Sequence, residues 1–125
     1  MLYSIPFSFP ETYGGLAETD GIARFDGEHL TLEFQVRDSV FGVVKSEVKE
    51  ITLPVEEIAT VHYKRGRFSG RLSIRSHKIV QEIPVQKGGE FILSFKRRHR
   101  DEGEEFASIL QLRVSEAKLR RLEGE

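Results

Sequence analysis

The sequence predicts a mainly β domain, seven antiparallel strands followed by one C-terminal amphipathic helix, and three observations carry that prediction. From residue 21 onward apolar side chains recur at every second position, the spacing of strands with one face in a core and the other in water. Gly-containing turn signals separate the runs. Beyond residue 100 the apolar spacing changes to that of a helix. The 125-residue chain has the length of one domain, and its nine Phe and three Tyr exclude disorder throughout. With no Cys there is no disulfide framework, thiol nucleophile or thiolate zinc site. Lys and Arg total 19 against 20 Asp and Glu, so a net charge of −1 gives no general attraction to nucleic acid, which is not an expected partner. No 18-residue apolar run exists and the start lacks a basic flank, so the chain reads as soluble and cytoplasmic.

The elements follow in order. Residues 1–20 read as an N-terminal arm with an extra strand at about 3–9, because Tyr3, Ile5, Phe7 and Phe9 alternate with Leu2, Ser4, Pro6 and Ser8. Pro6 and Pro10 cannot donate to a ladder, which favours an edge position. The acceptor is either this chain's sheet or a partner's, with exchange between subunits slightly favoured. Ile22–Phe25 forms a short strand and Asp26-Gly27 a hairpin turn, followed by a long strand with Leu30, Leu32, Phe34 and Val36 on one face. After a loop at 38–46, Ile51, Leu53 and Val55 share a face and Pro54 marks a strand end. Ala59, Val61 and Tyr63 define the next strand, Gly66 and Gly70 bracket a turn, and Leu72 with Ile74 form a fifth strand. Ile79, Ile83 and Val85 form the sixth, Gly88-Gly89 turns, and Phe91, Leu93 and Phe95 form the seventh. In the helix Phe106, Ile109, Leu110, Val114 and Ala117 make one stripe. Asp101 with Glu104 has the spacing of a capping box, and Gly124 lies just past a last turn rich in Lys118, Arg120 and Arg121.

Seven antiparallel strands and one helix resemble the pleckstrin-homology (PH) superfold. The stretch ITLPVEEIATVHYKRGRFSGRLSI is similar to the central segment of GRAM-like and bacterial PH-like domains, at Pro54, Glu56, Glu57, Ile58, Val61, Gly66, Gly70, Arg71, Leu72 and Ile74. The resemblance spans about residues 21–117 and implies a PH-like domain at 21–123, a barrel of seven antiparallel strands capped by its C-terminal helix. These are packing motifs, so they imply fold and not activity. PH domains that bind phosphoinositides use Lys and Arg around the first hairpin. Here that hairpin is Phe25-Asp26-Gly27-Glu28, the third connection is Pro54-Val55-Glu56-Glu57, and only Lys87 is basic in the sixth. Carboxylates at that rim repel a phosphorylated headgroup.

Lys64, Arg65, Arg67 and Arg71 form the densest basic cluster. They read either as anion contacts or as a solvated hairpin whose charge keeps a strand edge from pairing with strangers. Lys96-Arg97-Arg98-His99-Arg100 precedes Asp101-Glu102-Gly103-Glu104-Glu105 and is expected to be neutralised within that junction. His29, His62, His77 and His99 have no metal-ligand spacing, and no nucleophile elbow, P-loop or dinucleotide fingerprint occurs. We therefore expect no enzyme activity, cofactor, metal or small-molecule substrate. Apolar side chains without an evident home remain: Val40, Phe41, Val43 and Val44 in the 38–46 loop, unless that loop is a short strand, and Leu112, Leu119 and Leu122 off the helix stripe. One sheet cannot bury both helix faces, so a neighbouring subunit or the N-terminal arm must cover those leucines. Tyr3, Ile5, Phe7 and Phe9 join them as the expected interaction surface. The function so implied is a non-catalytic interaction or assembly module of a bacterial-type cytoplasm that self-associates. The alternative is a peripheral membrane or lipid-headgroup binder, with Val40–Val44 as wedge and Lys45, Lys64 or Arg65 as charge.

Overall fold

The computed structural model describes residues 2–10, 17–38, 47–78 and 88–124. Its strands are β1 (Tyr3–Phe7), β2 (Ala17–Phe25), β3 (His29–Asp38), β4 (Glu47–Pro54), β5 (Ile58–Arg65), β6 (Ser69–Ser76) and β7 (Glu90–Lys96), with α1 at Arg100–Glu123. All pairings are antiparallel, in one sheet of order β1-β2-β3-β4 and a second of order β5-β6-β7. The protein is thus mainly β, with seven described strands in two sheets and one C-terminal α-helix. The loop carrying Val40, Phe41, Val43, Val44 and Lys45 lies outside the described residues, as does the strand read at Ile79, Ile83 and Val85 with Lys87 after it.

Alternation decides which residues form the core. In β3, Leu30, Leu32 and Phe34 are buried while Thr31, Glu33 and Gln35 lie between them on the outer face. In β7, Phe91, Leu93 and Phe95 repeat the pattern. The β2–β3 hairpin turns where expected: Gly27 has φ 101°, and the Asp26 carboxylate accepts from the Glu28 and His29 amides at 2.8 and 2.7 Å.

Two strands depart from the reading. β2 begins at Ala17, so a boundary at residue 20 falls inside a strand. Its first half hides its periodicity because the core-facing positions are Thr19, which is buried, and Gly21, where the Phe7 ring takes the place of a side chain. A Cβ at Gly21 would lie 2.7 Å from that ring. In β5 a bulge makes Ala59 an extra residue between the Ile58↔Ser76 and Thr60↔Arg75 pairs. The buried face is therefore Ile58 and Val61, with Ala59 displaced from it.

The N-terminal strand docks within its own chain, at the sheet edge, in register Tyr3↔Phe25 to Phe7↔Gly21. Ile5, Phe7 and Phe9 are buried and Tyr3 packs on the core, so these four are core residues of one chain and not a free docking face. The segment then crosses to the other sheet: the Ser8 amide donates to the Ser94 carbonyl at 2.9 Å and the Ser94 amide donates back at 2.8 Å. Phe9 sits edge-on to Phe34 of β3, with centroids 5.1 Å apart, and to Phe91 of β7 at 6.5 Å.

A 3-10 turn at Arg97–His99 leads into α1, and His99 at the N-cap makes no side-chain cap. The Asp101–Glu104 capping box does not form. The helix has already begun at Arg100, and Arg65 from the neighbouring hairpin engages both carboxylates. Gly103 lets the helix approach the second sheet, since a Cβ there would lie 2.5 Å from the ring of the buried Phe95.

Two stability predictions follow from this packing. Phe9→Ala removes the aromatic wedge between the sheets and should destabilise by about 3–5 kcal/mol in denaturant titration; an unchanged midpoint would mean that the wedge is not buried in solution. Gly103→Ala should lower Tm even though alanine gains about 1 kcal/mol in helix propensity. A raised Tm would show that Phe95 yields without cost.

Candidate functional site

The two faces of α1 have opposite fates. Gly103, Phe106, Ala107, Leu110, Val114 and Ala117 are buried and Ile109 packs at their margin. Leu112, Leu119 and Leu122 are 56%, 58% and 74% exposed. At about 100° per residue they stand across the helix axis from the core stripe. Of the two covers expected for them, the described part of the N-terminal arm is excluded, because β1 pairs with β2 and its apolar face is spent on the core. The buried set ends at Ala117, so the last helical residues, Leu119 and Leu122 among them, contribute nothing to the fold's interior.

The exposed face is held in a fixed attitude. The Tyr63 hydroxyl donates to the Arg100 carbonyl at 2.7 Å, and the Arg100 guanidinium donates to the Gly66 and Arg67 carbonyls at 2.9 and 3.0 Å. Arg65 bonds Asp101 and reaches Glu104 at 3.4 Å, and these contacts hold its pKa above the ordinary arginine value, the Asp101 hydrogen bond first. At the other end Arg121 donates to the Glu56 carbonyl at 2.6 Å. The basic hairpin is therefore only partly available to an anion. Arg65 belongs to the helix anchor, and Arg67 lies over the Phe68 ring at 5.7 Å. Lys64 and Arg71 face one another across β5–β6 with exposed side chains.

The charged run before α1 pairs less locally than its sequence suggests. His99 faces Glu102 at 3.4 Å within the junction, whereas Arg100 goes to the hairpin carbonyls. Lys96, Arg98 and His99 line a cavity of about 150 Å³ with Ser8, Asp20 and Ser94, which brings serine, histidine and aspartate together. Arg98 Nε donates to His99 Nε2 at 3.2 Å, and His99 Nδ1 lies 3.4 Å from the Glu102 carboxylate. Among the described residues no three His, Asp or Glu side chains converge as a metal site, and no helix is long and apolar enough to cross a membrane.

Some exposed apolar residues escaped the sequence reading: Phe68, 72% exposed, and Leu2, Ile22 and Val48. Phe68 was legible, since it stands between Gly66 and Gly70 at the tip of a hairpin where no strand neighbour can cover it. Ile22 and Val48 face outward from β2 and β4, beside Glu33 and Gln35 of β3. The place of Ile22 depends on the phase of β2, which Thr19 and Gly21 conceal.

A family described as Domain of unknown function (DUF4429) matches residues 23–110, from within β2 to the middle of α1. That span is more than half of the chain, and the chain belongs to this family. No curated protein matches it.

The helix anchor sets a pH dependence. Burial raises the Tyr63 pKa above the ordinary tyrosine value, with Glu104 adding to it, so the folded state favours the protonated phenol. That contribution is complete below the unfolded pKa of about 10 and is lost as pH rises through the higher folded value. Between about pH 9 and pH 12 the wild-type Tm should therefore fall more steeply than that of Tyr63→Phe, which has no phenol to ionise. Parallel declines would show that the folded state does not hold the phenol out of water.

Proposed function

We propose that this chain is a non-catalytic assembly module of the cytoplasm that self-associates through the outward face of α1, carried on a PH-like scaffold. The observation that carries this reading is the exposure of Leu112, Leu119 and Leu122 on a helix whose opposite face is already filled by its own core. An apolar stripe on a rigid element gains free energy by burial, about 25 cal/mol per Å² removed from water, and needs little ordering when it docks. The scaffold reading is supported by the sheet order β4-β3-β2-β1, the Ser8–Ser94 link onward to β7-β6-β5, and the helix lying against both. A cysteine-free chain suits a reducing compartment.

The test is the solution mass of the full chain. Wild-type protein should sediment as a concentration-dependent oligomer, and Leu112→Glu with Leu119→Glu should shift it to monomer. Thermal stability should move little, because each exposed position is worth within about 0.5 kcal/mol to the fold. A monomeric wild type, or a variant of unchanged mass, overturns the proposal.

A second reading rests on Phe68, exposed at a hairpin tip that also carries Lys64, Arg67 and Arg71. An aromatic flanked by cations suits insertion at an anionic lipid surface. Cosedimentation with phosphatidylserine vesicles that falls with salt and with Phe68→Ala supports that reading. Under the assembly reading Phe68→Ala leaves the solution mass unchanged.

A further inference from the structure

We infer that the partner on this helix is a second copy of the chain packed parallel and in register, the two C-terminal halves of α1 forming a short two-helix seam. The inference rests on the self-association reading and adds its direction.

The first argument is spacing. The core-facing side of α1 carries Phe106, Leu110, Val114 and Ala117, with successive separations of four, four and three residues. The outward side carries Leu112, Ser115, Leu119 and Leu122, separated by three, four and three, which is the alternation of a and d positions in a heptad repeat. A stripe with that period suits a second helix packed lengthwise, whereas a sheet asks for a broader apolar face. Ser115 is exposed and small, so two backbones can approach closely between the Leu112 and Leu119 layers.

The second argument is charge. With Leu112 and Leu119 at a positions, Glu116 and Glu123 occupy the following e positions, and Gln111 and Lys118 the preceding g positions. In a parallel pair a g residue meets the e residue five places on in the other helix. Lys118 then faces Glu123 of the partner subunit, twice by symmetry, and Gln111 faces Glu116 of the partner subunit. In an antiparallel pair e residues face e residues, which sets carboxylate against carboxylate at Glu116 and leaves Lys118 without an acid. Glu116 is already bonded by Arg113 of its own helix at 3.2 Å, while Lys118 and Glu123 are exposed and make no ion pair among the described residues. Glu105, one heptad before Leu112, would meet its own copy, so the helices diverge toward their starts and the contact is confined to the C-terminal halves.

A seam from Leu112 to Leu122 is only about 15 Å long, too short for isolated peptides. Here the helix is formed beforehand by the core and by the Arg121–Glu56 bond, so pairing does not have to nucleate it.

The chain contains no cysteine, which makes single-cysteine variants clean reporters. Leu112→Cys and Leu122→Cys should each form a disulfide-linked dimer on mild oxidation, and mixing the two should give no preference for the mixed product. Preferential linkage of Leu112→Cys to Leu122→Cys overturns the parallel arrangement in favour of the antiparallel one and leaves self-association intact. A wild type that sediments as a monomer overturns the self-association reading itself. Should either cysteine weaken pairing, the charge exchange decides: Lys118→Glu should raise the dimer Kd by about three- to tenfold, and Lys118→Glu with Glu123→Lys should restore it. A double variant as weak as the single one overturns the proposed register.

Discussion

Everything in this molecule hangs on a seam made by residues 3–9. β1 completes one sheet by pairing with β2, and the next residues leave that sheet to make both hydrogen bonds of the Ser8–Ser94 bridge in the other. Phe9 follows and fills the angle between the sheets, edge-on to Phe7, Phe34 and Phe91. A few strongly apolar residues thus satisfy the backbone of one strand and couple two sheets. Gly21 belongs to the same device, since only a residue without a side chain leaves room for Phe7 against β2. A segment that looks detachable in sequence is therefore the part that makes two sheets share one core.

Given that core, the helix has little freedom. Phe106 meets Phe25 of the first sheet, while Gly103 lies against Phe95 of the second, so α1 bears on both. Its start is clamped by Tyr63, Arg65 and Arg100 to the β5–β6 hairpin, and its end by Arg121 to the turn after β4. The exposed ion pairs in these clamps add little energy individually. Their effect is geometric, because contacts at both ends of one rod fix its rotation as well as its position. That fixed rotation is why Leu112 and Leu119 remain in water: turning them inward would require Leu110 and Val114 to leave the core.

The sequence was legible where one physical effect dominated. The faces of β3 and β7 follow from period-two alternation because a single apolar core acts on them, and the helix stripe follows from period 3.6 for the same reason. Legibility failed where two demands met at one residue. Thr19 and Gly21 are inward positions filled by a hydroxyl and by a neighbour's ring, so the first half of β2 does not read as a strand. The bulge at Ala59 shifts a face without changing the composition of the run. The Asp101–Glu104 pattern is local, and Arg65, 36 residues away, outcompeted it. The aromatic face of Tyr3–Phe9 announced that it must be buried but not where, since docking in cis or in trans uses the same residues. The leucines of the helix were legible as residues the core cannot cover, because the angle between two residues around a helix axis is fixed by their separation in the chain.

That last point separates the fold from any assembly built on it. The match to the family ends at residue 110, and the outward leucines begin at Leu112. Gly103, Phe106 and Leu110, which seat the helix, lie inside the matched span, while Leu112, Leu119 and Leu122 make no contribution to the buried set. Substitutions on the outward face therefore have no route to the core except through helix propensity, and substitutions on the inward face cannot spare it. Because the inward and outward faces of the helix share an axis but no side chain, this scaffold can hold its fold constant while its exposed face varies.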